Sequence, residues 1–194
     1  MARLVLDPAS RAASQELLAF ELENREWFES MIQGRKPEFY NLATVTKLLA
    51  EAEQQWANGE TYQFLVRLDG ELVGRVNLRH VSKKTPFSAE IGYRIGKRSA
   101  GKGIMTKAVS MACRFAYEQL SLQRLYAKIA INNPASQIVL LKNGFNFTSR
   151  IPKAIMINGR YWDLVVLERM APAFMVAKSK EDELAASDDE TESS

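Results

Sequence analysis

Hydrophobic and polar positions recur with two different periods along this chain, and the change of period falls near residue 60. RLVLD (3–7) is a short apolar run ended by Asp7-Pro8, which predicts a strand. Ser10 is placed to cap the next helix. Leu17, Leu18, Leu22, Phe28 and Met31 follow at roughly helical spacing, which predicts one long helix through SQELLAFELENREWFESMI (14–32). Lys36-Pro37 interrupts it. A second helix is predicted over ATVTKLLAEAEQQWA (43–57), closed by Asn58-Gly59.

Beyond that point the period shortens. TYQFLVRL (61–68) and ELVGRVNLRHV (71–81) flank Asp69-Gly70, a hairpin signal. FSAEIGYRIG (87–96) alternates, with Ala89, Ile91, Tyr93 and Ile95 on one face and Glu90, Gly92 and Arg94 on the other. From Ile104 an apolar face runs through Ala108, Met111, Ala112 and Phe115, which is helical. RLYAKIAI (124–131) reads as a strand, and PASQIVLLKNGF (134–145) as a short helix stopped by Asn143-Gly144. FNFTSRIPKAIMI (145–157) and RYWDLVVLERM (160–170) form a last hairpin around Asn158-Gly159. The order β-α-α-β-β-β-α-β-α-β-β mixes hairpins with strand-helix-strand units. It predicts an α/β chain with a mixed sheet, in which EIGYRI and RLYAKIAI form a parallel pair with a right-handed crossover.

Composition sharpens the picture. Residues 1–170 read as one domain and residues 171–194 as a tail. The tail holds two lysines and seven acids, a net charge of −5, so the domain carries +8 of the chain's total of +3. Its last part, SKEDELAASDDETESS (179–194), lacks aromatic and β-branched apolar residues, which predicts disorder or a loose helix and a solubilising role. A basic domain suits an anionic ligand and equally suits nucleic acid. No apolar run approaches the ~20 residues that span a bilayer, and the N-terminus lacks the apolar core of a secretory signal. Cys113 is the only cysteine and reads as a small core hydrophobe. With one His and one Cys a His/Cys metal site is not expected, and the class is a soluble cytoplasmic protein.

RSAGKGIMTKA (98–108) puts two glycines and a lysine at the mouth of a helix. Such a stretch is either a flexible loop or a phosphate cradle. A helix start leaves its first amides unpaired and carries partial positive charge, and glycines let an anion approach the backbone. Lys102 adds a mobile cation and Thr106 a hydroxyl. The stretch is neither a Walker A loop nor a G-x-G-x-x-G dinucleotide fingerprint.

EIGYRIGKRSAGKGIMTKA (90–108), followed some 30 residues on by NNPASQIVLLKNGF (132–145), resembles the GNAT acyl-CoA N-acyltransferases, and the RimJ/RimL branch that acetylates N-termini of ribosomal proteins above all. The likeness covers roughly residues 1–170 and is strongest from Glu71 to Phe145. It implies a single-domain GNAT fold with a splayed central parallel strand pair and acetyl-CoA as co-substrate. The family signature [Q/R]-x-x-G-x-[G/A] fits Arg98, Gly101 and Gly103 by letter, whereas the flanking strand and helix favour a frame over Ala100, Gly101, Lys102, Gly103, Ile104 and Met105. In that frame Ala100 replaces the first polar side chain, a place Arg98 or Lys102 can fill. The resemblance implies that amides of Gly101 to Thr106 bind the CoA pyrophosphate, that the backbone near Tyr93 and Ile95 pairs with the pantetheine, and that Asn133 hydrogen-bonds the same arm.

Transfer to an amine needs a base for its proton, a donor for the developing oxyanion and a weak acid for the thiolate. Many superfamily members supply that acid from a Tyr seven residues after the Asn of the short-helix motif; here that position is Leu140. RimL-like members place a serine three residues after it, and Ser136 fits; Asn133-Pro134-Ala135-Ser136 also reads simply as a helix cap with Pro at its start. Glu90 is the first candidate base, or else a solvated strand carboxylate paired with Arg94; its rivals are Glu60, Tyr62 and His80. Trp27 and Trp56 read as packing residues, and Trp162 and Asp163 either line an acceptor mouth or cap the sheet. The reading is an N-acetyltransferase acting on a protein N-terminus or a small amine, with a CoA-binding regulatory module as the alternative. No membrane or nucleic-acid partner is expected, no nucleic-acid motif accompanies the charge, and a homodimer is compatible.

Overall fold

A computed structural model describes residues 2–172; the acidic segment from 173 onward, most of the tail set apart above, lies outside the described residues. The elements run β1 (Leu4–Pro8), α1 (Ser14–Glu23), α2 (Arg25–Glu29), α3 (Leu42–Ala57), β2 (Tyr62–Leu68), β3 (Glu71–Ser82), β4 (Ser88–Ile95), α4 (Ile104–Glu118), β5 (Arg124–Ala130), α5 (Pro134–Lys142), β6 (Asn146–Ile157) and β7 (Arg160–Met170). The strands form one seven-stranded mixed sheet in the order β1-β2-β3-β4-β5-β7-β6, antiparallel except between β4 and β5. Among the described residues no helix is long and apolar enough to cross a membrane.

The hairpins follow from their turns. Asp69 and Gly70 both have positive φ, as do Asn158 and Gly159, the backbone that a two-residue turn between right-twisted strands requires. Asn41, not a residue of the predicted stretch, caps α3 by accepting from the Ala43 N–H at 2.8 Å. Ser10 caps nothing with its side chain; a 3-10 turn over Arg11–Ala13 comes first.

The predicted first long helix is two helices. At Asn24 the side chain folds back to donate to the Phe20 carbonyl at 2.9 Å and accepts from the Lys97 N–H at 2.9 Å. An Asn that bonds the local backbone in this way competes with helix continuation. The buried face also differs from the predicted one. Leu22 is 48% exposed, while Leu17, Glu21, Asn24 and Phe28 are buried, so the inward stripe contains a carboxylate. On α4 the stripe is turned by about one residue: Met105, Ala108, Val109, Ala112, Cys113 and Ala116 are buried, and Phe115 sits at its margin against Trp56, Tyr62 and Phe64.

Two apolar clusters sandwich the sheet. Val66, Val76, Leu78, Ala89 and Ile91 meet α4 on one face. Leu65 and Leu72 meet Leu17, Phe20, Phe28, Val45 and Leu49 of the helices on the other. Cys113 belongs to the first cluster, and burial pushes its thiol up to about 11, in keeping with a packing role.

β4 and β5 pair only over Ser88–Glu90 and Arg124–Tyr126. Beyond Glu90, β4 stays in register with β3 as far as Ile95, while β5 follows β7 as far as Ala130. Each strand keeps its antiparallel partner, and a fork opens between them.

Candidate active site

A cavity of about 280 Å³ lies at the open end of the fork, between the last residues of β4 and α5, and runs to the start of α4. Its floor is β4. The Gly96 N–H donates to the Val73 carbonyl at 2.9 Å, which fixes the alternation of the β3–β4 ladder. The N–H and C=O groups of Arg94, Gly92 and Glu90 therefore face β3, and those of Ile91, Tyr93 and Ile95 face the fork. The Ile95 carbonyl accepts from the Trp27 indole N–H at 3.1 Å. What remains is an unpaired strand edge, the surface to which an extended amide-bearing chain adds.

At the far end Gly103 is the N-cap of α4 with φ 74° and no side-chain cap. Among the described residues the amides from Gly101 to Thr106 have no hydrogen-bond partner; the first helical bond is from the Lys107 N–H to the Gly103 carbonyl at 3.2 Å. Gly101 (φ 75°) and Gly103 hold left-handed backbone that L side chains adopt only under strain. A Cβ at either would meet nothing within 4 Å, so the space above the amides is open. These unpaired N–H groups, the dipole of a 15-residue helix and an open approach fit a diphosphate.

Ten of the sequence-predicted residues line this one cavity: Tyr93, Ile95, Ala100, Gly101, Gly103, Ile104, Met105, Thr106, Asn133 and Ser136. Lys102 and Glu90 do not. Lys102 is exposed to solvent. Arg98, considered as a substitute cation, pairs instead with Glu23 at 3.3 Å, whereas Lys142, at the end of α5, lines the cavity.

Asn133 is buried, and its Oδ1 accepts from the Ser136 N–H at 3.2 Å, with Pro134 at the first helical position. The cap therefore exists, and it stands in the cavity wall. The Ser136 carbonyl accepts from the Tyr93 hydroxyl at 2.6 Å. Burial pushes the Tyr93 phenol far above its ordinary 10, so it stays a donor and ties the first turn of α5 to β4.

Glu90 lies where β4 and β5 last pair, on the sheet face opposite α4. It does not pair with Arg94. Arg79, opposite it on β3, donates to it at 2.8 Å, and Lys128 of β5 lies 3.7 Å away. The carboxylate thus bridges the closed end of the fork. Arg94 belongs to another network: it and Arg75 reach Glu21 at 2.8 and 3.1 Å, and Arg35 lies 3.5 Å from the same carboxylate. Burial pushes the Glu21 carboxyl up, but the three guanidinium groups outweigh it and hold it below its ordinary value.

The rival bases are elsewhere. Tyr62 packs against Trp56 and Phe115. Glu60 is exposed, and His80 is exposed at a positive-φ irregularity of β3. Asp163 accepts from Arg150 Nε at 2.6 Å and from the Lys153 N–H at 2.8 Å, which clasps the β6–β7 irregularity. Trp162 stacks under Arg160 at 4.2 Å. Neither of these two lines the cavity. Trp27, read from the sequence as a packing residue, lines the cavity together with Phe28 of α2 and with Met31 and Ile32 just beyond it. The available signal for this wall was an apolar run persisting beyond Asn24 toward Pro37.

A family model described as "Acetyltransferase (GNAT) domain" matches residues 3–146. The curated "Probable N-acetyltransferase YjcK" of Bacillus subtilis (strain 168) is 32% identical over 167 residues, covering 85% of this chain and 92% of its own length. The ribosomal-protein-serine acetyltransferase of Escherichia coli (strain K12) is 24% identical over 149 residues, covering 76% and 82%. A solved structure of the ribosomal L7/L12 alpha-N-protein acetyltransferase RimL in complex with coenzyme A superposes with a TM-score of 0.81 at 21% identity, over 88% of this chain and 95% of that one.

Proposed function

This chain belongs to the GNAT acetyltransferase family and is an acetyl-CoA-dependent N-acetyltransferase; from that premise we propose that its acceptor is the α-amine of a protein N-terminus, acetylated at the closed end of the β4–β5 fork in the cytoplasm. The observation that carries this is a groove from the bare amides of α4 along the unpaired strand edge at Ile95 and Tyr93 to the first turn of α5, with Glu90 outside its lining and farther back on the same strand. Support for a protein acceptor comes from the relative named for acetylating a ribosomal-protein serine.

The co-substrate supplies an activated thioester. The amides of Gly101 to Thr106 hold its diphosphate, with Lys142 at the margin. The fork-facing backbone of Tyr93 and the Asn133 amide hold its pantetheine arm. Glu90 takes the proton of the attacking amine, directly or through one water, as the C–N bond forms. Ser136 Oγ donates a proton to the departing sulfur as the C–S bond breaks and recovers it from solvent. An N–H on the fork-facing edge of β4 stabilises the negative charge on the carbonyl oxygen. Tyr93 fixes the turn that carries Ser136.

Thiol release, measured over N-terminal peptides, polyamines and aminoglycosides, tests the reading. Peptides are expected to be the best acceptors, and Ser136→Ala and Glu90→Gln are each expected to lower kcat about hundredfold. Turnover of polyamines alone contradicts the acceptor assignment, and full activity in both variants contradicts the roles of these side chains.

A further inference from the structure

A second cavity, of about 230 Å³, lies on the other face of the sheet, under α1 and α3. Arg75, Asn77 and Arg79 line it from alternate positions of β3, and Arg35 from the segment after α2. Guanidinium groups dominate it: Arg35, Arg75 and Arg79 face it, with Glu51 at the rim as the opposing charge. Glu21 behind the wall already serves Arg35, Arg75 and Arg94 together. Arg75 is buried, and its guanidinium is spent on Glu21 at 3.1 Å and Gln63 at 2.7 Å. Arg35 and Arg79 are partly exposed, their side chains 30% and 48%, and so bring cationic N–H groups to the cavity lining.

We propose that this cavity reads a carboxylate on the acceptor, which makes the preferred substrate a peptide with an acidic side chain close to its α-amine. The inference rests on the acetyltransferase reading above and deepens it. The cavity offers the cationic N–H donors of Arg35 and Arg79, and a carboxylate accepts charge-assisted bonds from both. Place fits as well as chemistry. Arg79 both lines the cavity and bonds Glu90 at 2.8 Å, so the cavity opens beside the proposed base. Alternate strand positions are about 7 Å apart. From Glu90 to the middle of the Arg75–Arg79 row is therefore the span of one or two residues of extended peptide, at about 3.5 Å each. An acidic side chain at the second or third position meets that distance. A polyamine, which brings further ammonium groups, meets guanidinium instead and is disfavoured.

Synthetic peptides that differ only by Glu, Gln or Lys at position two, and a second set at position three, test this with the full-length protein and acetyl-CoA. The Glu peptide of one set is expected to exceed its Gln partner in kcat/KM by about ten- to hundredfold, the usual gain from a desolvated charge-assisted pair, with Lys lower still. Arg35→Gln, a variant at a partly exposed position, is expected to shrink that ratio to about threefold or less. The wild-type comparison needs no variant, so a folding defect in Arg35→Gln leaves the test intact. Equal values for Glu and Gln in both sets, a preference for Lys, or an undiminished ratio in well-folded Arg35→Gln overturns the subsite while thiol release continues. No thiol release with any amine, together with no shift in melting temperature on adding acetyl-CoA, removes the acetyltransferase reading and the subsite with it.

Discussion

Replacing Glu21 with Gln removes the carboxylate that three guanidinium groups share. Glu21 is fully buried, with Arg94 at 2.8 Å, Arg75 at 3.1 Å and Arg35 at 3.5 Å. Gln keeps the size and can accept one hydrogen bond, but it leaves these cations without a counter-charge. Leaving a buried charge uncompensated costs about 3–5 kcal/mol. For a domain of this size each kcal/mol lowers Tm by roughly 2–4 °C. Glu21→Gln is therefore expected to melt about 10 °C below wild type by circular dichroism. The loss should also reach the active site, because Arg94 and Phe28 line the cofactor cavity and Arg94 sits over the Phe28 ring at 5.0 Å. The KM for acetyl-CoA should rise with the fall in Tm. Acid adds a second signature. The folded Glu21 carboxyl titrates below its ordinary 4.5. Its contribution is complete above the unfolded value and disappears as pH falls through the folded one. Wild type should shed this stability as the pH drops below about 4.5, whereas Glu21→Gln lacks it at every pH. A variant melting within about 1 °C of wild type at neutral pH, or one with the same acid-induced loss, would refute the argument.

Gly103→Val should abolish acetyl-CoA binding in calorimetry while the protein still melts cooperatively. The branched side chain would stand in the open space over the amides and strain a left-handed backbone; unchanged affinity would mean the diphosphate lies elsewhere. Gly74→Ala should destabilise the protein by about 1–3 kcal/mol in urea titration, because its Cβ would lie 2.7 Å from the Arg94 carbonyl oxygen and 3.0 Å from Met105 Cε; full stability would show that β3 and β4 part freely there. Tyr93→Phe should lower kcat with little change in KM for acetyl-CoA, since it frees the turn bearing Ser136 and keeps the strand edge; an equal loss in Ser136→Ala and in the double variant would support the coupling, and additive losses would oppose it.

The parts legible in the sequence are the local ones. Two glycines before an amphipathic run place a helix start and its bare amides within six residues, and the structure puts the cap at Gly103. The alternation in FSAEIGYRIG fixes which side chains of β4 face α4, and with them the edge that faces the fork. The Asn-Pro start of α5 is read from neighbours three residues apart. The fork could be expected from a parallel pair among hairpins, but its depth depends on β7 drawing β5 away.

What was not legible depends on partners far along the chain. Glu21 reads as an ordinary acidic helix residue until Arg75 and Arg94, 54 and 73 residues away, arrive from β3 and β4. Without them Leu22 is the natural choice for the core, and the inward face was misjudged accordingly. A shared strand face makes Arg94 the natural partner for Glu90 if that carboxylate is merely paired, yet its cross-strand neighbour Arg79 takes that place at 2.8 Å. Asn24 breaks the first helix because it answers the Lys97 N–H, a contact no local rule contains. That break turns Trp27 onto the end of β4 and makes the α2 wall of the cofactor cavity.

The most direct test is a crystal structure of the protein grown with coenzyme A. Diphosphate oxygens about 2.9 Å from the amides between Gly101 and Thr106, with the pantetheine amides paired to the backbone of Tyr93, are the expected result. Coenzyme A bound away from the fork, or those amides capped by side chains with the diphosphate in solvent, would contradict it.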